Sequence, residues 1–239
     1  MTVPSDSAGN QTRAKNSAGV WQKYEYDAAG RLVKVMDDTD AVIESYTYGP
    51  SNQHLMTNNY PDSVSSKTYY VWASGQVIAE YSEVGATDTV PQWTKSYVYL
   101  TGRLLSTIEP YNGSQLVRHH HPDRLGTRLV TNSADTSVEE QINLPFGTAL
   151  GAESSTNVGA ATSRRFTSYD RSGTTRLDYA VNRHYDSGQG RFTQPDPIGM
   201  GAANLSDPQS LNMYAYCGND PVNHVDPGGL FVGWLKSCF

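Results

Sequence analysis

The chain has 239 residues, a formal net charge of −6 and a pI near 5.4, which excludes a protein that grips nucleic acid through clustered Lys and Arg. No run approaches the roughly 18 apolar residues of a membrane-spanning helix. With 16 Tyr, 21 Gly and 12 Pro against 18% charged residues, the composition opposes long helices and favours short strands joined by turns, hence an all-β class in one or two domains.

Residues 1–19 contain no apolar core and no cleavage-site pattern, so no signal peptide is read there. They read as the middle of a longer repeat array, and the expectation is a piece of a longer polypeptide. Asp6-Ser7-Ala8-Gly9-Asn10-Gln11 returns as Asp27-Ala28-Ala29-Gly30-Arg31-Leu32, about 21 residues on. Tyr24 and Tyr26 precede the second copy. Weaker copies follow at Tyr70-Val71-Trp72 before Gly75, at Tyr97-Val98-Tyr99 before Gly102-Arg103-Leu104, and at Asp123-Arg124-Leu125-Gly126. Tyr46-Thr47-Tyr48-Gly49 stands where a degenerate unit belongs.

Each unit reads as a β-hairpin: an aromatic-x-aromatic strand, a turn with Asp and Gly, and an alternating apolar return such as Arg31-Leu32-Val33-Lys34-Val35. One hairpin is marginal in water, so consecutive hairpins are expected to pair into a continuous sheet. Residues 151–163 are small and polar, the best loop or linker. Beyond them Leu177 to Asp186 reads as a single strand that turns at Ser187-Gly188-Gln189-Gly190 and returns at Arg191-Phe192-Thr193. A short helical period is visible only around Pro208 to Tyr214.

The stretch from Gly190 to Phe239 carries the chemistry. Asp196-Pro197 and Asp226-Pro227 bracket a segment rich in Asn, Gly, Pro and Tyr, and each is followed by glycine, Gly228 and Gly229 in the second case. Proline fixes φ and glycine permits reversal, so each aspartate sits on a rigid turn. Two readings stand. The carboxylates cap backbone amides in ordinary turns, or they meet and share a proton as an aspartic-protease pair does.

The Tyr-Asp-x-x-Gly-Arg-Leu units resemble YD repeats. The block from Arg164 onward, with NRHYDSGQGRFTQPDPIG, NMYAYCGNDPVNHVDPGGL and their spacing, resembles the core-associated region of Rhs (rearrangement hot spot) proteins, which is shared with the C components of insect toxin complexes and with teneurins. The resemblance implies an antiparallel β-hairpin YD-repeat strip, part of an Rhs shell (1–150), a loop or linker (151–163), a loop-rich autoprotease plug (164–230) and a short tail left from a variable toxin region (231–239). Such a shell encloses a C-terminal toxin and releases it by one intramolecular aspartyl cleavage after DPxGL. Carried over, Asp196 and Asp226 match the catalytic aspartates, Arg191 in GRF matches an arginine near the site, and Leu230–Phe231 matches the cut bond, with Pro197, Pro227, Gly228 and Gly229 as supporting turns. His184 stands where a second Tyr is usual. The implied partners are the chain's own C-terminal toxin segment, the rest of the shell and a secretion-system component, and the implied location is secreted or cell-surface.

Other readings compete. Arg191 either fixes a carboxylate or steadies an oxyanion, or is a surface residue after a turn. Among His119, His120 and His121 only the outer two share a strand face, and incidental strand histidines are the better reading than a metal site. His224 either tunes Asp226 or is a loop histidine. Cys217 and Cys238 do not define a pairing. No cofactor or metal is expected, and no GxSxG elbow or P-loop is present. The alternative function is a non-cleaving structural or adhesive surface module; a third reading is a carbohydrate-binding surface of exposed tyrosines, although tyrosine at strand spacing is usually packing.

Overall fold

The first four turns of the chain use one device. Asp6, Asn16, Asp27 and Asp37 each accept, through one side-chain oxygen, the amides two and four residues on, at 2.8–3.1 Å. The fourth position of each turn, Gly9, Gly19, Gly30 and Asp40, has a positive φ of 91°, 80°, 74° and 68°. An Asx turn closed by a left-handed residue reverses the chain tightly and matches the twist of a hairpin. The Asp–Gly signature marks every second one; between them the same turn is built from Asn16 and closed by Asp40.

The computed structural model describes residues 3–60, 65–84, 90–135, 137–150, 162–202, 206–230 and 233–234. Twelve strands follow one another in a single antiparallel sheet in sequence order: β1 (Arg13–Lys15), β2 (Trp21–Tyr26), β3 (Leu32–Met36), β4 (Val42–Tyr48), β5 (His54–Asn59), β6 (Ser66–Ala73), β7 (Gln76–Val84), β8 (Gln92–Leu100), β9 (Arg103–Tyr111), β10 (Ser114–Asp123), β11 (Gly126–Asn132) and β12 (Val138–Glu140). Every pair joins chain neighbours, as a strip of hairpins requires.

The aromatic-x-aromatic pairs have a specific job. The register shifts between Glu25 and Tyr26, Thr47 and Tyr48, Val71 and Trp72, and Val98 and Tyr99, so each second aromatic falls at an irregularity that twists the strand. That twist aims its polar tip backward. Tyr26 Oη donates to Gln11 O, Tyr48 Oη to Leu32 O, Trp72 Nε1 to His54 O and Tyr99 Oη to Val77 O. Each unit is thereby tied to the one before it. Of the first aromatics, Tyr24, Tyr46 and Tyr97 are buried and Tyr70 is half-buried.

The remaining segment packs against the strip. Four short strands, β13 (Asp170–Arg171), β14 (Asp178–Tyr179), β15 (His184–Asp186) and β16 (Arg191–Phe192), form a second antiparallel sheet, and β17 (His224–Val225) pairs with β18 (Gly233–Trp234). The only helical turns among the described residues are 3-10: Gly199–Ala202, Pro208–Leu211 and Cys217–Asn219. The second, where the sequence shows its short period, is a single turn capped by the Asp207 side chain. Phe166, Tyr169, Ala180, Tyr185, Phe192, Tyr216 and Cys217 make the core of this plug. Leu177 leaves it to join Ala14, Tyr24, Leu32, Val35 and Tyr46 of the strip, where burying one such side chain is worth about 1.5–3 kcal/mol.

One strand is expected from Leu177 to Asp186; two are found. The chain reverses at Val181-Asn182 so that Asp178 pairs with Tyr185 and Tyr179 with His184. Val181 adopts φ 61°, an uncommon state for a β-branched residue. Asn182 holds the reversal by donating through its backbone to Gly228 O at 3.3 Å and through Nδ2 to the same oxygen at 2.8 Å. Alternating apolar residues conceal this break, because what makes it is a segment more than forty positions away.

Candidate functional site

The reversal at Val181-Asn182 delivers Arg183 to the centre of the plug. Its side chain is 2% exposed and lies over the Phe192 ring, 3.7 Å from guanidinium carbon to centroid. Nη2 stands 3.2 Å from Asp196 Oδ2 and 3.4 Å from Asp226 Oδ2. Nε donates to Gly229 O at 2.5 Å and Nη1 to Met213 O at 3.0 Å. Burial pulls the guanidinium below its ordinary range, while Asp196 and then Asp226 pull it back up. A buried guanidinium is tolerable when its donors are satisfied in this way.

The two aspartates reach Arg183 from separate turns. Asp196 follows β16; its Oδ1 accepts the Ile198 amide at 2.9 Å, and its own amide donates to Met213 O at 2.9 Å. Asp226 follows β17 and is 3% exposed. Its Oδ1 accepts the Leu230 amide at 3.0 Å, closing the DPGGL turn on the carboxylate, and Tyr169 Oη hydrogen-bonds its backbone carbonyl. Pro197 is exposed on the first turn and Pro227 on the second. Gly229 has φ 68°, and a Cβ there would stand 3.0 Å from Ala180 O, so only glycine fits this approach. Gly228 offers its carbonyl to Asn182.

Asp196, Asp226 and Leu230 are therefore gathered at one place. Arg191 is not in it. It is exposed on β16, its backbone pairs with Asp186 and bridges Ala215, and it lines a shallow cleft with Phe146 and Gln189. The arginine between the carboxylates is Arg183. Phe231 and Cys238 lie outside the described residues, as do 151–161 of the small polar stretch; Cys217 is a buried free thiol whose pKa burial pushes up to about 12. His224 Nδ1 is 3.4 Å from Asp220 Oδ2. His119 and His121 are exposed and contact Ser106 and Thr131, while His120 is buried against Thr107. Among the described residues no three His, Cys, Asp or Glu side chains are grouped to hold a metal ion.

A second polar region joins plug to strip. His54 stacks on Tyr179 at 3.5 Å and on Tyr46 at 4.8 Å, with His184 at 5.5 Å. Burial keeps both imidazoles neutral, His184 down to about 3. Glu44 of β4 accepts from Ser172 Oγ at 2.5 Å, and burial raises its carboxyl to about 7, with Asp170 pushing the same way. Cavities of about 260 and 310 Å³ lie beside these residues, the first reaching Tyr169 and Pro227, the second Glu80 and Asp170.

The fold, an antiparallel β-strip with a loop-rich segment packed against it, is that of TccC3 chains in toxin complexes. In the Photorhabdus luminescens Tc holotoxin pore containing a TccC3 variant, the likeness covers 96% of this chain and 11% of that one at TM-score 0.71 and 19% identity. In a TcdB2–TccC3 complex the figures are 95%, 11%, 0.71 and 19%. Identity this low carries the fold alone. Among characterised proteins the chain is similar to double-stranded DNA deaminase toxin A of Burkholderia cenocepacia, 26% identical over 94% of this chain, and to the tRNA3(Ser)-specific nuclease WapA of Bacillus spizizenii, 29% identical over 98%. It is also similar to salivary gland surface protein 1 of Aedes aegypti, 27% identical over 94%. The chain spans only 16%, 9% and 6% of these relatives' lengths. No family model matches it. Among the described residues no helix is long and apolar enough to cross a membrane.

Proposed function

We propose that this chain is part of an Rhs-type toxin shell whose plug cuts its own backbone once, between Leu230 and Phe231. The observation that carries the reading is the convergence of Asp196 and Asp226 on one guanidinium nitrogen while Asp226 also holds the Leu230 amide. Arg183, Asp196 and Asp226 bring one positive and two negative charges, so a single proton balances them. That is the proton an acid–base pair needs. In the step, one carboxylate takes a proton from water as the oxygen attacks the Leu230 carbonyl, and the other, protonated, donates to that carbonyl's oxygen. Collapse passes a proton to the Phe231 nitrogen and breaks the C–N bond, with one water consumed. Arg183 fixes the approach by holding the Gly229 carbonyl.

Similarity to toxins and to chains of toxin complexes supports placement in a secreted or surface assembly, with the rest of the shell and the released segment as partners. A second reading has its own observation: all three nitrogens of Arg183 are engaged, by two carboxylates and two carbonyls, as in a purely structural clamp. N-terminal sequencing of the purified chain separates them. A new terminus at Phe231 supports processing; one intact chain with only its original terminus supports the clamp.

A further inference from the structure

The first turn of the strip touches both segments that hold the site. Gly9 O accepts from Tyr214 Oη at 2.7 Å, and the Gln11 amide donates to Thr193 O at 2.8 Å. Those two plug segments also hold each other: Phe192 N donates to Tyr214 O at 3.0 Å, and Asp196 N to Met213 O at 2.9 Å. Met213 O is the same carbonyl that receives Arg183 Nη1. A short chain of contacts thus runs from Gly9 through Tyr214 and Met213 to Asp196 and Arg183. The fit at its start is tight. A Cβ on Gly9 would stand 2.9 Å from Tyr214 Oη and 3.6 Å from Pro195, the second residue before Pro197.

We infer that this turn regulates the cleavage site: seating Gly9 and Gln11 against the plug sets the register of 193–196 against 213–214, and Tyr214 is the positioning residue that transmits it. Processing then proceeds only in a plug docked on its strip, and a loose plug stays uncut. The inference rests on the processing reading, but its geometric half stands without it. A misplacement near 1 Å at a reacting group costs on the order of a hundredfold in rate, which sets the size of the effect.

Two glycines provide a matched test. Gly9 and Gly19 close the same kind of turn at φ 91° and 80°, so alanine at either position incurs the same backbone strain. A Cβ at Gly19 meets nothing within 4 Å. In the full chain, Gly9→Ala is expected to slow appearance of the Phe231 terminus about tenfold to a hundredfold relative to Gly19→Ala, and to speed amide exchange at Asp196 and Phe192. Tyr214→Phe, which removes only the hydroxyl, is expected to do the same about fivefold, the worth of one hydrogen bond. Equal rates and equal exchange in Gly9→Ala and Gly19→Ala, or a Tyr214→Phe chain identical to wild type, would overturn the inference. If the wild-type chain is never cut, the processing reading fails, and the exchange rates at Asp196 and Phe192 still decide whether the turn sets this register.

Discussion

Asp196 and Asp226 meet on a single atom, Nη2 of Arg183, at 3.2 and 3.4 Å. The consequence is a dependence in both directions: each carboxylate is tolerated in the plug because the guanidinium is there, and the guanidinium because they are. Removing one partner of a buried charge cluster leaves the other uncompensated, at about 3–5 kcal/mol. Arg183→Met is therefore expected to lower the thermal midpoint by several degrees, whereas Arg191→Ala, at an exposed position of β16, shifts stability by less than about 0.5 kcal/mol. Thermal denaturation of the two variants checks this; equal losses would contradict a structural role specific to Arg183.

Glu44 gives the plug contact a pH dependence of definite sign. Burial lifts its folded-state value from 4.5 to about 7. A carboxyl raised on folding favours the fold most below 4.5, loses that advantage as pH rises toward 7, and changes nothing further above it. The whole change is on the order of 3 kcal/mol by the 1.36 kcal/mol per unit rule. Glu44→Gln is expected to be more stable than wild type at pH 8 and to flatten the slope between 4.5 and 7. Urea midpoints across that range read it.

The backward hydrogen bonds of the second aromatics predict a graded series. Tyr26→Phe and Tyr99→Phe each remove one donor and leave a strip carbonyl less satisfied, for a loss of about 1 kcal/mol per site. Because the two sites share no partner, the double variant should lose the sum. Denaturant unfolding of both singles and the double measures it, and a loss confined to one of them would contradict a repeated lock.

Asp40 occupies the position that glycine fills in the three equivalent turns, at φ 68°. Its side chain contributes an ion pair to Lys23 at 2.7 Å but is 70% exposed, and such pairs are worth little. Asp40→Gly is expected to stabilise the chain by about 0.5–1 kcal/mol, since left-handed backbone strain outweighs a solvated pair. A lower thermal midpoint would show the pair to be the stronger effect.

Much of this was legible in residues. The Tyr and Asp–Gly spacing announces hairpins, and the observed strip is those hairpins in order. The turns at Asn16 and Asp37 were hidden because Asn replaces Asp in one and Asp40 replaces Gly in the other. Of the candidate cluster, the two aspartates that converge on Arg183 were legible, because they sit on visible turns. Its arginine was not. Arg183 and Arg191 occupy similar strand contexts, and only the Val181-Asn182 reversal, held by Gly228, turns the first inward while the second faces solvent. Equally silent was the seat of the plug: nothing local to Glu44 or His54 marks them as buried against Ser172 and Tyr179.

Self-processing is tested most directly by the intact mass of the purified chain beside its Asp196→Asn and Asp226→Asn variants, each incubated under the same conditions. The prediction is a wild-type chain that ends at Leu230 and two variants of full length. A wild-type chain that stays whole, or either variant ending at Leu230 as readily as wild type, would contradict it.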